Sequence, residues 1–123
     1  MKYIRLFADD DGESHFADVE IEFTDVEYTA SAPPLGLSPM FPATHFGFMN
    51  APAGWESDWH PSSARNFFVV VNGEWEVTAS DGETRRFGPQ SLLLVEDMTG
   101  KGHKSRVVSD SIAAMIQLAD KRS

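Results

Sequence analysis

The chain has 123 residues, 41% of them hydrophobic and 24% charged, which suits one globular domain with one core and excludes a disordered segment or a pair of independent domains. It has no cysteine, which excludes disulfides, thiolate zinc sites and cysteine nucleophiles together and removes the usual reason to expect secretion. A formal net charge of −9 repels phosphate backbones, so nucleic acid is not an expected partner.

The first stretch, "MKYIRLFADDDGESHF", has no long apolar run and soon turns acidic. Neither a signal peptide nor a membrane span is expected there, and a cytoplasmic location follows by default. "YIRLFA" predicts a first strand. "DDDGE" lacks the spaced oxygen ligands of a calcium loop and reads as a solubilising face. His15, in "GESHF", reads as structural, close to N-terminal strands able to pair with a partner subunit. "FADVEIEFTDVEY" alternates, with Val19, Ile21 and Phe23 on one face and Glu20 and Glu22 on the other, the period of a strand. "SAPPLGLSPMFP" is proline-rich and predicts an irregular crossing. "ATHFGFMN" predicts a strand whose aromatic face, Phe46 and Phe48, is the better core candidate. That choice leaves His45 outside. "APAGWES" predicts a turn.

Stronger signals follow. "FFVVV" ends at Asn72-Gly73, "EWEVTAS" at Asp81-Gly82 and "ETRRF" at Gly88-Pro89. Asn-Gly and Asp-Gly supply the positive φ angles of tight hairpins, so three successive antiparallel strands are predicted. "SLLLVED", "HKSRVV" and "SIAAMIQL" complete the set, with "MTGKG" a mobile loop at the barrel mouth and the tail "ADKRS" frayed. Seven or eight short strands without a convincing helix predict an all-β sandwich or barrel.

"DWHP", "SDGETRRFGP" and "EDMTGKGH" resemble a group of stand-alone bacterial cupins with no firmly assigned activity, and from Gly12 to the last strand the chain resembles a small single-domain cupin. The resemblance implies one domain over residues 1–123, a double-stranded β-helix or jelly-roll barrel with N-terminal strands, and a homodimer. The cupin metal motif is Gly, five residues, His-x-His, three or four residues, Glu, six residues, Gly. Gly54 and Gly73 fit its ends and His60 its first histidine. Ser62 stands at the second histidine and Asn66 at the glutamate. The third metal histidine falls on His103, after Gln90-Ser91 in place of a Gly-Asp turn and a loop about two residues longer than usual.

Divalent metals are usually held by at least three protein ligands. Here two histidines remain, and Asp97 or Glu96 is the carboxylate that would have to turn inward to complete a site. Two functions stay open. The first is a small-molecule-binding cupin with a weak or vacant metal site. Its pocket would be formed by His60, Ser62, Asn66 and His103, with Phe68, Val70 and Trp75 as walls. The alternative is an oxygenase or isomerase acting on a small polar metabolite, with iron, manganese, zinc or nickel on His60, His103 and a carboxylate. Trp55 and Trp59 read as packing at the barrel end, and Glu74, Glu76, Arg65 and Arg106 as surface. "TGKGHKS" lacks the upstream glycine of a phosphate loop and reads as a mouth loop able to act as a lid.

Overall fold

A computed structural model of the chain describes residues 1–119. Among the described residues every regular element is a strand: β1 (Lys2–Ala8), β2 (Ser14–Glu20), β3 (Thr24–Val26), β4 (Leu35–Leu37), β5 (Ala43–Ala51), β6 (Asn66–Ala79), β7 (Thr84–Phe87), β8 (Leu92–Glu96) and β9 (His103–Leu118). The expected all-β fold is therefore present. No described helix is long and apolar enough to cross a membrane.

Seven strands form one sheet in the order β2-β1-β8-β6-β9-β5, with β7 also on β6, while β3 and β4 pair with each other. The two long strands β6 and β9 run antiparallel from Asn66–Gln117 to Ala79–His103. The first half of β6 also pairs with β8 and its second half with β7, so the sheet folds over on itself as a jelly roll. Among the described residues the hydrogen-bonded path runs from β2 to β5 without closing into a ring.

The Asn72-Gly73 hairpin expected from the sequence does not form. Both residues lie inside β6, and the pairing with β9 shifts register there, which is a β-bulge. Gly73 has φ +74, and a Cβ on it would lie 2.2 Å from the Asp110 carbonyl oxygen, so only glycine fits. The bulge also switches which residues face inward. Phe68 and Val70 face the core before it, and Trp75 and Val77 after it. "HKSRVV" and "SIAAMIQL" likewise join into the single strand β9. The Asp81-Gly82 hairpin forms as expected, pairing Thr78 with Thr84.

The core lies between the two halves of the roll and contains Leu6, Phe16, Val70, Val77, Phe87, Leu93 and Val95. On β2 the buried face is Ser14 and Phe16, not the face of Val19, and Phe23 is 54% exposed. β5 is also reversed from expectation. Met49 reaches the interior, while Phe46 and Phe48 are 65% and 70% exposed on the outside. The tail "ADKRS" mostly lies outside the described residues, but Ala119 donates its N–H to the Pro42 carbonyl at 2.9 Å.

Candidate functional site

His60, ahead of β6, and His103, the first residue of β9, are joined by two reciprocal backbone hydrogen bonds of 3.0 Å. Gly102 permits this approach: its φ is +74, and a Cβ there would lie 2.1 Å from the His60 carbonyl. The bridge sets the two imidazoles side by side, with centroids 4.8 Å apart and planes 51° apart. Both rings line a cavity of about 140 Å³ inside the roll. Its walls are apolar and include Trp55, Phe68, Val70, Trp75, Phe87 and Leu93. Trp55 and Trp75 meet edge to face at 6.0 Å.

Each histidine has one nitrogen committed elsewhere. The Nδ1–H of His60 donates to the Asp58 carbonyl oxygen at 2.9 Å, since a carbonyl can only accept. The Nδ1–H of His103 donates to Asp97 Oδ2 at 2.6 Å. Asp97 is completely buried and His103 is 7% exposed. A carboxylate on Nδ1 fixes the ring and its tautomer, leaving the Nε2 lone pair as the free polar atom. Asp97 Oδ1 is buried without a hydrogen-bond partner among the described residues.

The remaining candidates lie away from the cavity wall. Ser62 donates its N–H to the Asp97 carbonyl at 3.0 Å and its hydroxyl to the Ala64 carbonyl at 2.6 Å. Asn66 sits on the inner side of the sheet in the row Val95-Asn66-Gln117, with its amide 3.5 Å from the Ala64 carbonyl. Glu96 belongs to the opposite face, where its carboxylate is held between the guanidinium groups of Arg5 and Arg65. Burial alone would raise the Glu96 carboxyl, but the two arginines together outweigh it and hold the group below its usual range. Arg65 is therefore a structural ion-pair partner and not a free surface charge.

The donor set does not fit a resident metal. Asp97 occupies the Nδ1 side of His103, away from any ion on Nε2. Glu96 is taken by two cations, and Ser62 and Asn66 bond to backbone. Among the described residues no three histidine, aspartate or glutamate side chains are placed to hold one ion.

The loop between β8 and β9 is also not the free lid expected of it. Lys101 donates its N–H to Gly12 at 2.9 Å, Ser14 donates its buried hydroxyl to the Gly102 carbonyl at 2.8 Å, and the Lys101 ammonium meets Glu13 at 2.7 Å. The β1–β2 turn thus props the segment that carries His103. Sequence reasoning missed this prop, since nothing local links Ser14 to Gly102. It also preferred packing to a pocket wall for Trp55, whose ring lines the cavity.

No family model matches the chain, and no curated protein matches it. Several solved structures are similar to it, three of which follow. A conserved protein of unknown function from Streptococcus pyogenes is 17% identical with a TM-score of 0.49, over 63% of this chain and 65% of that one. A cupin-2 domain-containing protein from Shewanella frigidimarina is 16% identical with a TM-score of 0.48, over 60% and 69% of the two chains. The cupin domain of Cnp3 from Schizosaccharomyces pombe is 18% identical with a TM-score of 0.47, over 88% and 73%.

Proposed function

We propose that this chain is a cupin-type protein that binds a small organic molecule in the cavity beside His60 and His103, and that its metal site is weak or vacant. The observation that carries the reading is the pairing of two imidazoles, each with Nδ1 committed, at the polar end of an apolar cavity. A cavity near 140 Å³ takes a body about the size of one benzene ring. The two Nε2 acceptors call for a hydroxyl or N–H donor on that body. The ligand class is therefore a single ring or compact branched chain bearing such a donor, less polar overall than the polar metabolite suggested by the motif residues. The cysteine-free composition supports a cytoplasmic location.

Elemental analysis and intrinsic fluorescence test this together, because Trp55 and Trp75 line the cavity and report its occupancy. Untagged protein is expected to carry no stoichiometric iron, manganese, zinc or nickel. Small phenols are expected to quench or shift the tryptophan emission saturably, and cyclohexane-like probes without a donor to bind more weakly. The His60→Ala, His103→Ala variant should lose that preference. Near-stoichiometric metal that disappears in the double variant would replace this reading with the metal-dependent enzyme.

A further inference from the structure

Polar side-chain nitrogen and oxygen atoms in the cavity wall belong to His60, His103, Ser105 and the two indoles. The Trp75 indole N–H is spent on Ser111 Oγ at 2.8 Å, and Trp55 is 47% exposed to solvent. Ser105 is the group that the histidine pair does not account for. Cross-strand partners share a face. On β9 the pairs are His103 with Ala79, Ser105 with Val77 and Val107 with Trp75. Ala79, Val77 and Val107 are buried and Trp75 packs on the core, so Ser105 faces inward, one inward step along the strand from His103.

The segment ahead of β6 brackets this residue. His60 exchanges backbone bonds with His103, and the Val107 N–H donates to the Trp55 carbonyl at 2.8 Å. Ser105 therefore lies between the histidine pair and the tryptophan pair. Its N–H donates to Ser57 Oγ at 3.0 Å, and its carbonyl accepts the Ser57 N–H at 2.9 Å. Its hydroxyl bonds to no group among the described residues, although the walls around it are apolar. A hydroxyl held against apolar walls without a partner costs free energy that a bonded one does not. The cavity thus favours an occupant that brings a partner for it.

We propose that Ser105 is the second polar anchor of this cavity, and that the ligand is a neutral aromatic ring with two polar substituents set apart. One meets the histidine pair and the other meets the Ser105 hydroxyl. The inference rests on the reading of the cavity as a small-molecule site. Trp55, Phe68, Trp75 and Phe87 offer the edges and faces that an aromatic ring packs against. The two Nε2 acceptors take a hydroxyl or N–H, whereas a serine hydroxyl both donates and accepts, so the second substituent is a hydroxyl, carbonyl or ether oxygen. Inward residues two apart on a strand stand roughly 7 Å apart, and their side chains rise side by side. That step suits substituents at positions 1 and 3 of a ring better than adjacent ones. Neither lysine nor arginine lines the cavity among the described residues, so a carboxylate would enter without a counter-charge.

Calorimetric titration with phenol, 3-methylphenol and 1,3-dihydroxybenzene tests this. The last two are nearly the same shape and differ by a methyl against a hydroxyl at the Ser105 end. The wild type is expected to bind 1,3-dihydroxybenzene at least three times more tightly than 3-methylphenol, roughly what one net hydrogen bond supplies. Ser105→Ala should reverse that order, because the methyl then meets an apolar wall and the hydroxyl meets no partner. A wild type that binds 3-methylphenol as tightly as 1,3-dihydroxybenzene, or an order that Ser105→Ala leaves unchanged, overturns the role of Ser105 while the cavity site stands. Failure of all three probes to bind the wild type overturns the cavity reading and this inference with it. Should Ser105→Ala fail to fold, Ser105→Cys takes its place, since a thiol of similar size is a weak hydrogen-bonding group, and the same reversal is expected.

Discussion

Asp97 carries more of the site than either replaced motif residue. It is completely buried, and its recorded side-chain bond is the 2.6 Å contact to His103 Nδ1. Removing it leaves a buried imidazole N–H without an acceptor, a loss of about 1–3 kcal/mol. Asp97→Ala is therefore expected to lower unfolding stability in urea by that amount, and also to weaken ligand binding, because the His103 ring is no longer held. Asp97→Asn keeps an acceptor oxygen and should recover part of the stability. If both variants unfold like the wild type, the contact does not hold His103 in place. Asp97 was legible as a nearby carboxylate but not in this role, since sequence spacing across a six-residue loop does not say which side of the imidazole it meets.

At the scale of elements, the β1–β2 turn is fastened to the β6–β7 turn through His15 on β2. Its Nε2 lies 2.7 Å from Asp9 and its Nδ1 2.9 Å from Asp81. A neutral imidazole has one N–H and can donate to one carboxylate, whereas the imidazolium donates to both. The bond to Asp9, with Asp81 adding to it against partial burial, raises the His15 pKa above its ordinary 6.5. A raised folded-state pKa gives stability that is fully present below the unfolded value and is lost as pH rises through the folded one. The stability difference between the wild type and His15→Gln, measured by thermal unfolding, should be largest below the ordinary histidine value of 6.5 and shrink as pH rises above it. A difference that stays flat or grows with pH would show that the imidazolium is not what ties the turns. The same turn props the His103 segment through Ser14 and Gly12, so structural is the right word for His15 and its influence still reaches the site.

For the whole molecule, strand content and the positions of His60 and His103 were legible because both rest on local signals, strand periodicity and short motifs. Pairing was less so. The positive φ supplied by Asn-Gly serves a hairpin and a bulge equally, and only β9 running alongside both halves of β6 decides for the bulge. The inner face of β5 was misjudged because its outer face is apolar as well. These failures share a cause: the contacts that build this fold are distant in sequence. β1 lies parallel to β8, with Ile4 opposite Leu93, and β5 closes on β9, with Phe46 opposite Ile116. Neither pairing forms until most of the chain is in place, so loop closure must precede the contacts that reward it. Refolding from urea, followed by tryptophan fluorescence in stopped flow, is therefore expected on the millisecond-to-second scale and not in the microseconds of an isolated hairpin. A dominant phase faster than about a millisecond would mean that local hairpins alone order the tryptophans. The rate of that main phase should not change with protein concentration, because the core lies within one copy.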